Sequence, residues 1–197
     1  DSGKIDRIEK LRKNLKNENK KITQLAFHVL VLAKCLSSFP RFNSSLSTDF
    51  KHLILKDYIN IGIAVDTPFG LVVPVIRNVN LLNLSEVSQK LVDLADRAQR
   101  KRLRPNELGG ASMTISSLGG IGGESFTPIV NPPEVAILGI SKMDIRPVWD
   151  GEKFIPSAEV PLDLTYDHRI INGAEAARFL KYYTTLLDRP EELVLDR

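Results

Sequence analysis

The sequence predicts one α/β (α+β) domain. Apolar residues recur at helical spacing in separate stretches, and short strand-like runs lie between them. No composition break marks a linker anywhere in the 197 residues. With 43% hydrophobic and 26% charged residues, the chain has enough apolar content for one real core. A compact chain of this size exposes roughly 9,000 Å². Disorder and a disulfide scaffold are excluded, since the single cysteine, Cys35, has no partner within the chain.

Residues 1–21 read as a solvated basic helix with Ile5, Ile8, Leu11 and Leu15 as its apolar stripe. This segment holds a net charge of +4, so its eight Lys/Arg account for the whole positive excess of a chain at +3. It contains no aromatic residue to interleave with them, which argues against nucleic-acid binding. Residues 22–37 read as a buried helix ended by Pro40, with Leu25, Val29, Leu32 and Leu36 at helical spacing. The apolar run from Leu25 to Leu36 is interrupted by His28 and Lys34 and is too short to span a membrane.

Strict alternation over 59–65 predicts a strand, Asp66–Gly70 a turn, and 71–76 a returning strand. Pro74 cannot donate a ladder bond, so that strand belongs at an edge or carries a bulge. A third helix starts near Ser85, read as its N-cap with Glu86 in the first turn. Val87, Leu91, Leu94 and Ala98 face inward, and Pro105 stops it. Short strands follow near 112–116, 134–141 and 160–167, and a last helix over 174–188 buries Ala176, Phe179, Leu180, Tyr183 and Leu187. The tally is three or four helices and five or six strands.

The Gly119–Gly123 loop fits neither nucleotide-binding glycine pattern and lies between two strands, so no helix N-terminus waits there for a phosphate. His28, His52 and His168 have no His or Cys at ligand spacing, so no metal site is expected. His28 reads as a hydrogen-bonded core histidine, His52 as a solvated loop residue and Cys35 as a small hydrophobe. His168 differs, because it sits where a strand hands over to a helix, a place where α/β folds put chemistry. Taken alone, it reads as a catalytic base or as a structural histidine tied down by Asp167. Ser116 alone reads as a strand-end hydroxyl.

Three segments carry a family resemblance. Asp167-His168-Arg169-Ile170-Ile171-Asn172-Gly173 closely resembles the DHRxxxG motif of dihydrolipoyl acyltransferases, the core-forming components of 2-oxo acid dehydrogenase complexes. Residues 59–78 and 113–140 resemble two further hallmark segments of that family, and the likeness runs from about residue 20 to 190. It implies a layered chloramphenicol-acetyltransferase-like fold with a mixed sheet flanked by helices, trimers with a channel between subunits, and larger cubic or dodecahedral cages. By the same resemblance His168 is the catalytic base and Ser116, from the neighbouring subunit, donates to the tetrahedral intermediate. Asn172 stands where many members carry Asp and would act as a neutral brace. No coenzyme A contacts are assigned.

The implied partners are coenzyme A, the acetyl-dihydrolipoyl arm, further copies of the chain, and the pyruvate dehydrogenase and dihydrolipoamide dehydrogenase components. Lipoate would be carried on a lipoyl domain outside this chain, and no metal is implied. The residues around Phe126 and Trp149 look most like the acetyltransferases of bacterial pyruvate dehydrogenase complexes. Succinyl- or branched-chain-transferring relatives and a scaffold-only core are the alternatives. Asp1 reads as a cut point in a longer chain. Residues 1–197 would then be a single catalytic domain without its N-terminal segment and its upstream lipoyl and partner-binding domains. Localisation would be the bacterial cytoplasm, or the mitochondrial matrix in a eukaryote. The apolar tail Leu193-Val194-Leu195 is expected to dock in a hydrophobic pocket, on a neighbouring trimer or on its own subunit.

Overall fold

Short apolar runs from across the chain pair into one mixed sheet, and the longest apolar helix lies against it. The computed structural model describes residues 1–17 and 22–195. In chain order the elements are β1 (Ser2–Lys4), α1 (Asp6–Asn17), α2 (Gln24–Ser38), β2 (Ser44–Leu46), β3 (Leu53–Leu55), β4 (Ile61–Ile63), β5 (Val65–Thr67), β6 (Gly70–Val72) and β7 (Val75–Ile76). Then come α3 (Leu84–Gln99), β8 (Met113–Ser117), β9 (Ala136–Ile140), β10 (Asp144–Trp149), β11 (Phe154–Tyr166), α4 (Gly173–Leu187) and α5 (Glu191–Leu195). The main sheet runs β1-β11-β9-β8-β4-β7, with β10 paired to β11. β4, β8 and β9 are parallel, while β1, β7 and β10 pair antiparallel to their neighbours.

Helix α2 buries residues around its whole circumference, from Ala26 to Leu36, because α1, α3, α4, α5 and β4 all pack against it. That explains an apolar pattern with no polar face. Phe42 and Phe179 stack at 4.0 Å between ring centroids where α4 closes on it.

The first residues depart from the expected helix. Ser2–Lys4 form an edge strand on β11, and the helix starts only at Asp6. Asp6 holds that junction, with Oδ1 accepting from Ala158 N and Oδ2 from Ser157 Oγ. Ile5 and Ile8 are fully buried and Leu11 and Leu15 partly so, which makes this helix part of the core. A three-residue strand is too short to show a period, and its partner lies at the other end of the chain. Residues 18–21 of the expected helix lie outside the described residues.

Two further boundaries move. The cap of α3 is Asn83, not Ser85: Asn83 Oδ1 accepts from Glu86 N at 3.0 Å, and Glu86 Oε2 accepts from Asn83 N at 2.8 Å. Glu86 three residues on completes a capping box only with Asn83. The 59–65 strand is also split. Ile61–Ile63 stay in the sheet, then Ala64 N donates to Ile115 O and β5 turns away to pair with β6 as a separate ribbon. Pro74 O accepts from Ile63 N, and β7 beyond it is the sheet edge, where a proline-flanked strand belongs.

Strand β11 has thirteen residues, longer than the expected 160–167. Its second half completes the sheet, and its first half leaves with β10 as a hairpin arm. Ile145, Trp149 and Phe154 on that arm are exposed, as is all of β3. The accessible surface is 11045 Å², well above the roughly 9,000 Å² of a compact chain of this size. The arms and their apolar side chains account for the direction of that excess. At the C-terminus, α5 packs on α2 of its own chain, and Leu193 is buried there. The side chains of Val194 and Leu195 lie outside the described residues.

Candidate active site

Residues Asp167 to Asn172 form a turn held from every side except at His168. Asp167 N donates to Val135 O at 2.8 Å, and Asp167 O accepts from both Ile170 N and Ile171 N. Ile170 and Ile171 are buried and anchor the turn in the core. Arg169 folds back on Asp167, with Nε and Nη2 donating to its carboxylate at 3.0 and 2.6 Å. That contact holds the Asp167 carboxyl below its usual range. The guanidinium of Arg41 donates to Ile170 O and pairs with Glu175 at 3.6 Å, which ties the turn to α4. Asn172 is the N-cap of α4, its Oδ1 accepting from Glu175 N at 2.9 Å. The His168 ring is left exposed at the tip, 5.6 Å from the Tyr166 ring centroid.

Ser116 is half-buried near the C-terminal end of β8. Its cross-strand partner is Gly139, and the partner of Gly139 on β11 is Asp163, so the three share one sheet face. Two residues before Ser116, Thr114 Oγ1 donates to the buried Glu134 carboxylate at 2.9 Å, and Asn131 Nδ2 donates to the same oxygen at 3.2 Å. Burial pushes the Glu134 carboxyl up and the nearby Lys56 ammonium down, while each charge partly offsets the other's shift. The sequence showed nothing of this pair, because a single Glu in a proline-containing loop carries no pattern.

Register shows that one chain does not bring Ser116 and His168 together. Ser116 lies level with Gly139 near the end of β9, whereas Tyr166 lies level with Ala136 at its start. Three residues separate those levels, about 10 Å at ~3.3 Å per residue. His168 follows two residues beyond Tyr166, on the side away from Ser116. Within one chain the register thus leaves Ser116 and His168 apart.

The other singled-out residues stay apart from this arrangement. The 119–123 loop connects β8 towards β9 without a helix start, and Gly122 and Gly123 adopt φ of 135° and 93°, which glycine supplies at no steric cost. His52 is exposed in the β2–β3 turn. Cys35 is buried, and burial pushes its thiol up. Among the described residues, no three His, Cys, Asp or Glu side chains cluster as a metal site, and no helix is long and apolar enough to cross a membrane.

His28 is the core histidine expected from the sequence, its Nδ1 sharing a hydrogen bond with Tyr183 Oη at 2.8 Å. Burial lowers its pKa to about 3 from the usual 6.5. Between those values the unfolded chain binds a proton that the folded chain refuses, so stability falls as pH drops from 6.5 towards 3, by up to about 1.4 kcal/mol per unit. Urea unfolding across that window should show His28→Gln with a flatter slope than the wild type. Equal slopes would remove His28 as the cause.

A family model described as 2-oxoacid dehydrogenases acyltransferase (catalytic domain) matches residues 1–195. The chain is 47% identical over 201 residues to the dihydrolipoyllysine-residue acetyltransferase component of the pyruvate dehydrogenase complex of Haemophilus influenzae. That alignment covers 99% of this chain and 35% of that protein. The chain thus spans about a third of that curated relative's length. A solved structure of Azotobacter vinelandii dihydrolipoamide acetyltransferase, from an investigation of a serine, a histidine and an asparagine in its catalytic mechanism, matches with TM-score 0.94 and 46% identity. The match covers 99% of this chain and 82% of that one. The cubic core of a pyruvate dehydrogenase multienzyme complex matches with TM-score 0.94 and 47% identity, over 99% and 82% of the two chains. Chloramphenicol acetyltransferase, at 14% identity and TM-score 0.67 over 95% and 86%, shares the fold.

Proposed function

Because this chain belongs to the 2-oxoacid dehydrogenase acyltransferase family, as its catalytic domain, we propose that it moves an acetyl group between a dihydrolipoyl arm and coenzyme A, with His168 of one copy and Ser116 of the next. The observation that carries this reading is the separation of the two residues within one chain, together with their match to the Azotobacter enzyme. There, a serine, a histidine and an asparagine are named for the catalytic mechanism at the same intervals that separate Ser116, His168 and Asn172 here.

The chemistry needs these residue types. A free thiol, with pKa around 8.5, is mostly protonated near neutral pH, yet the thiolate is the nucleophile. The His168 imidazole takes the thiol proton as sulfur attacks the thioester carbonyl, and a new carbon–sulfur bond forms. The carbonyl oxygen becomes an oxyanion, to which the Ser116 hydroxyl donates. Collapse breaks the old carbon–sulfur bond, and the imidazolium returns its proton to the departing sulfur. Asn172 acts one step back. By capping α4 it fixes the turn that presents His168, and it is a positioning residue for that side chain.

The remaining parts of the reading rest on the relatives. The cubic-core neighbour, the exposed apolar arms and the large surface all support self-association into trimers and a cage. Pyruvate dehydrogenase and dihydrolipoamide dehydrogenase components would then supply and reoxidise the lipoyl arm, with lipoate carried on a domain outside residues 1–197. The bacterial origin of the relatives supports a bacterial cytoplasmic setting. The test is turnover of acetyl-CoA against succinyl-CoA with free dihydrolipoamide as acceptor. Acetyl transfer should exceed succinyl transfer at least about tenfold, because a pocket shaped for a methyl group would have to desolvate the unpaired succinyl carboxylate. A preference for succinyl-CoA overturns the acetyl assignment.

A further inference from the structure

The sheet face around Ser116 has a gap, and one aromatic ring fills it. Gly139, the cross-strand partner of Ser116, carries no side chain, and the tip of the Phe126 ring rests on it. A Cβ added at Gly139 would lie 3.0 Å from Phe126 Cζ and 3.2 Å from both Phe126 Cε1 and Asp163 Cβ. The ring is held there by its own backbone, since Phe126 N donates to Asp163 Oδ2 at 3.4 Å. The row Ser116–Gly139–Asp163 thus places Gly139, with the half-buried Phe126 ring over it, one strand spacing, roughly 4.8 Å, from Ser116.

We propose that Phe126 is the specificity-determining wall for the acyl group, limiting what can be transferred at Ser116 to small, unbranched acyl chains. The inference rests on the reading of Ser116 as the donor to the oxyanion. A carbonyl oxygen held by that hydroxyl puts the reacting carbon within a few ångströms of the ring tip, about the reach of a hydrogen bond and a covalent bond. At that range the ring meets the groups bonded directly to the reacting carbon before it meets the more distant parts of either thiol carrier. A methyl group fits beside the ring. A branched acyl group must push it off Gly139, and the backbone bond to Asp163 resists that. Without the ring, Gly139 leaves an open slot.

The experiment compares acetyl-CoA with isobutyryl-CoA, both with dihydrolipoamide as acceptor, for the wild type, Phe126→Ala and Phe126→Leu. Sedimentation confirms that each protein assembles to the same size. Wild type should favour acetyl-CoA in kcat/KM. Phe126→Ala should narrow that preference at least about tenfold by raising isobutyryl transfer, within the roughly 10–200-fold that one or two methylenes are worth in a pocket. Phe126→Leu, which keeps the site filled and guards against misfolding of the alanine variant, should fall between them. Preference ratios within twofold of wild type in both variants overturn the inference, as does an effect confined to the KM for dihydrolipoamide. Those outcomes leave the proposed function standing, because the wild type still transfers acetyl. A wild type that transfers no acyl group overturns both.

Discussion

Replacing His168 by alanine should cut acyl transfer by about 10²–10⁴-fold, the usual contribution of a general base, while leaving assembly intact. The second half of that expectation comes from the turn. His168 is its only exposed ring, and the contacts that hold the turn belong to Asp167, Arg169, Arg41 and the buried Ile170 and Ile171. The side chain can be removed without opening a cavity or orphaning a buried partner, the two mechanisms behind most large losses of stability. Turnover of the assembled variant, with sedimentation as the control, decides it. Activity within tenfold of wild type in a correctly sized particle means that another group takes the thiol proton.

Ser116→Ala should lower kcat about 10²–10³-fold with little change in the KM for coenzyme A, since the bond proposed from it to the oxyanion would form only once the carbonyl has been attacked. Strand β8 should survive the change. Ser116 is half-buried near the strand end, and the ladder to Gly139 is made by backbone. The two variants together test the register argument. Chains carrying His168→Ala retain Ser116, and chains carrying Ser116→Ala retain His168. Co-assembly should therefore create interfaces with both residues intact and restore part of the activity. If mixed particles show none above the single-variant background, the two residues act from one chain, and the separation read from β8, β9 and β11 has been misinterpreted.

Some of this molecule was legible in the residue pattern and some was not, and the difference follows the range of the interaction. Helix α2 announced itself because burial on all sides leaves a long apolar run. The missing N–H of Pro74 called for an edge or a bulge, and β7 lies at the sheet edge. By contrast, β1 was invisible, because three residues have no period and their partner, Glu159 to Pro161, lies across the whole chain. The cap of α3 was misplaced by two residues because Asn83 and Ser85 are both good caps, and only the reach of Glu86 chooses between them.

The same division runs through the site. The sequence by itself determined the residue types: a histidine at a strand-to-helix turn, a serine at a strand end and an asparagine able to cap the helix that follows. These are local facts, set by short-range spacing and by chemistry that needs a base and a donor. Only the tertiary structure decided that Ser116 and His168 lie at opposite ends of β9, that Asn172 spends its side-chain oxygen on α4, and that Glu134 and Phe126 share the face of Ser116. Those relations depend on strand register, and register is set by which distant segments pair. A one-residue slip would send every side chain of a strand to the other face, so no local pattern can encode which face Ser116 shares or what waits there.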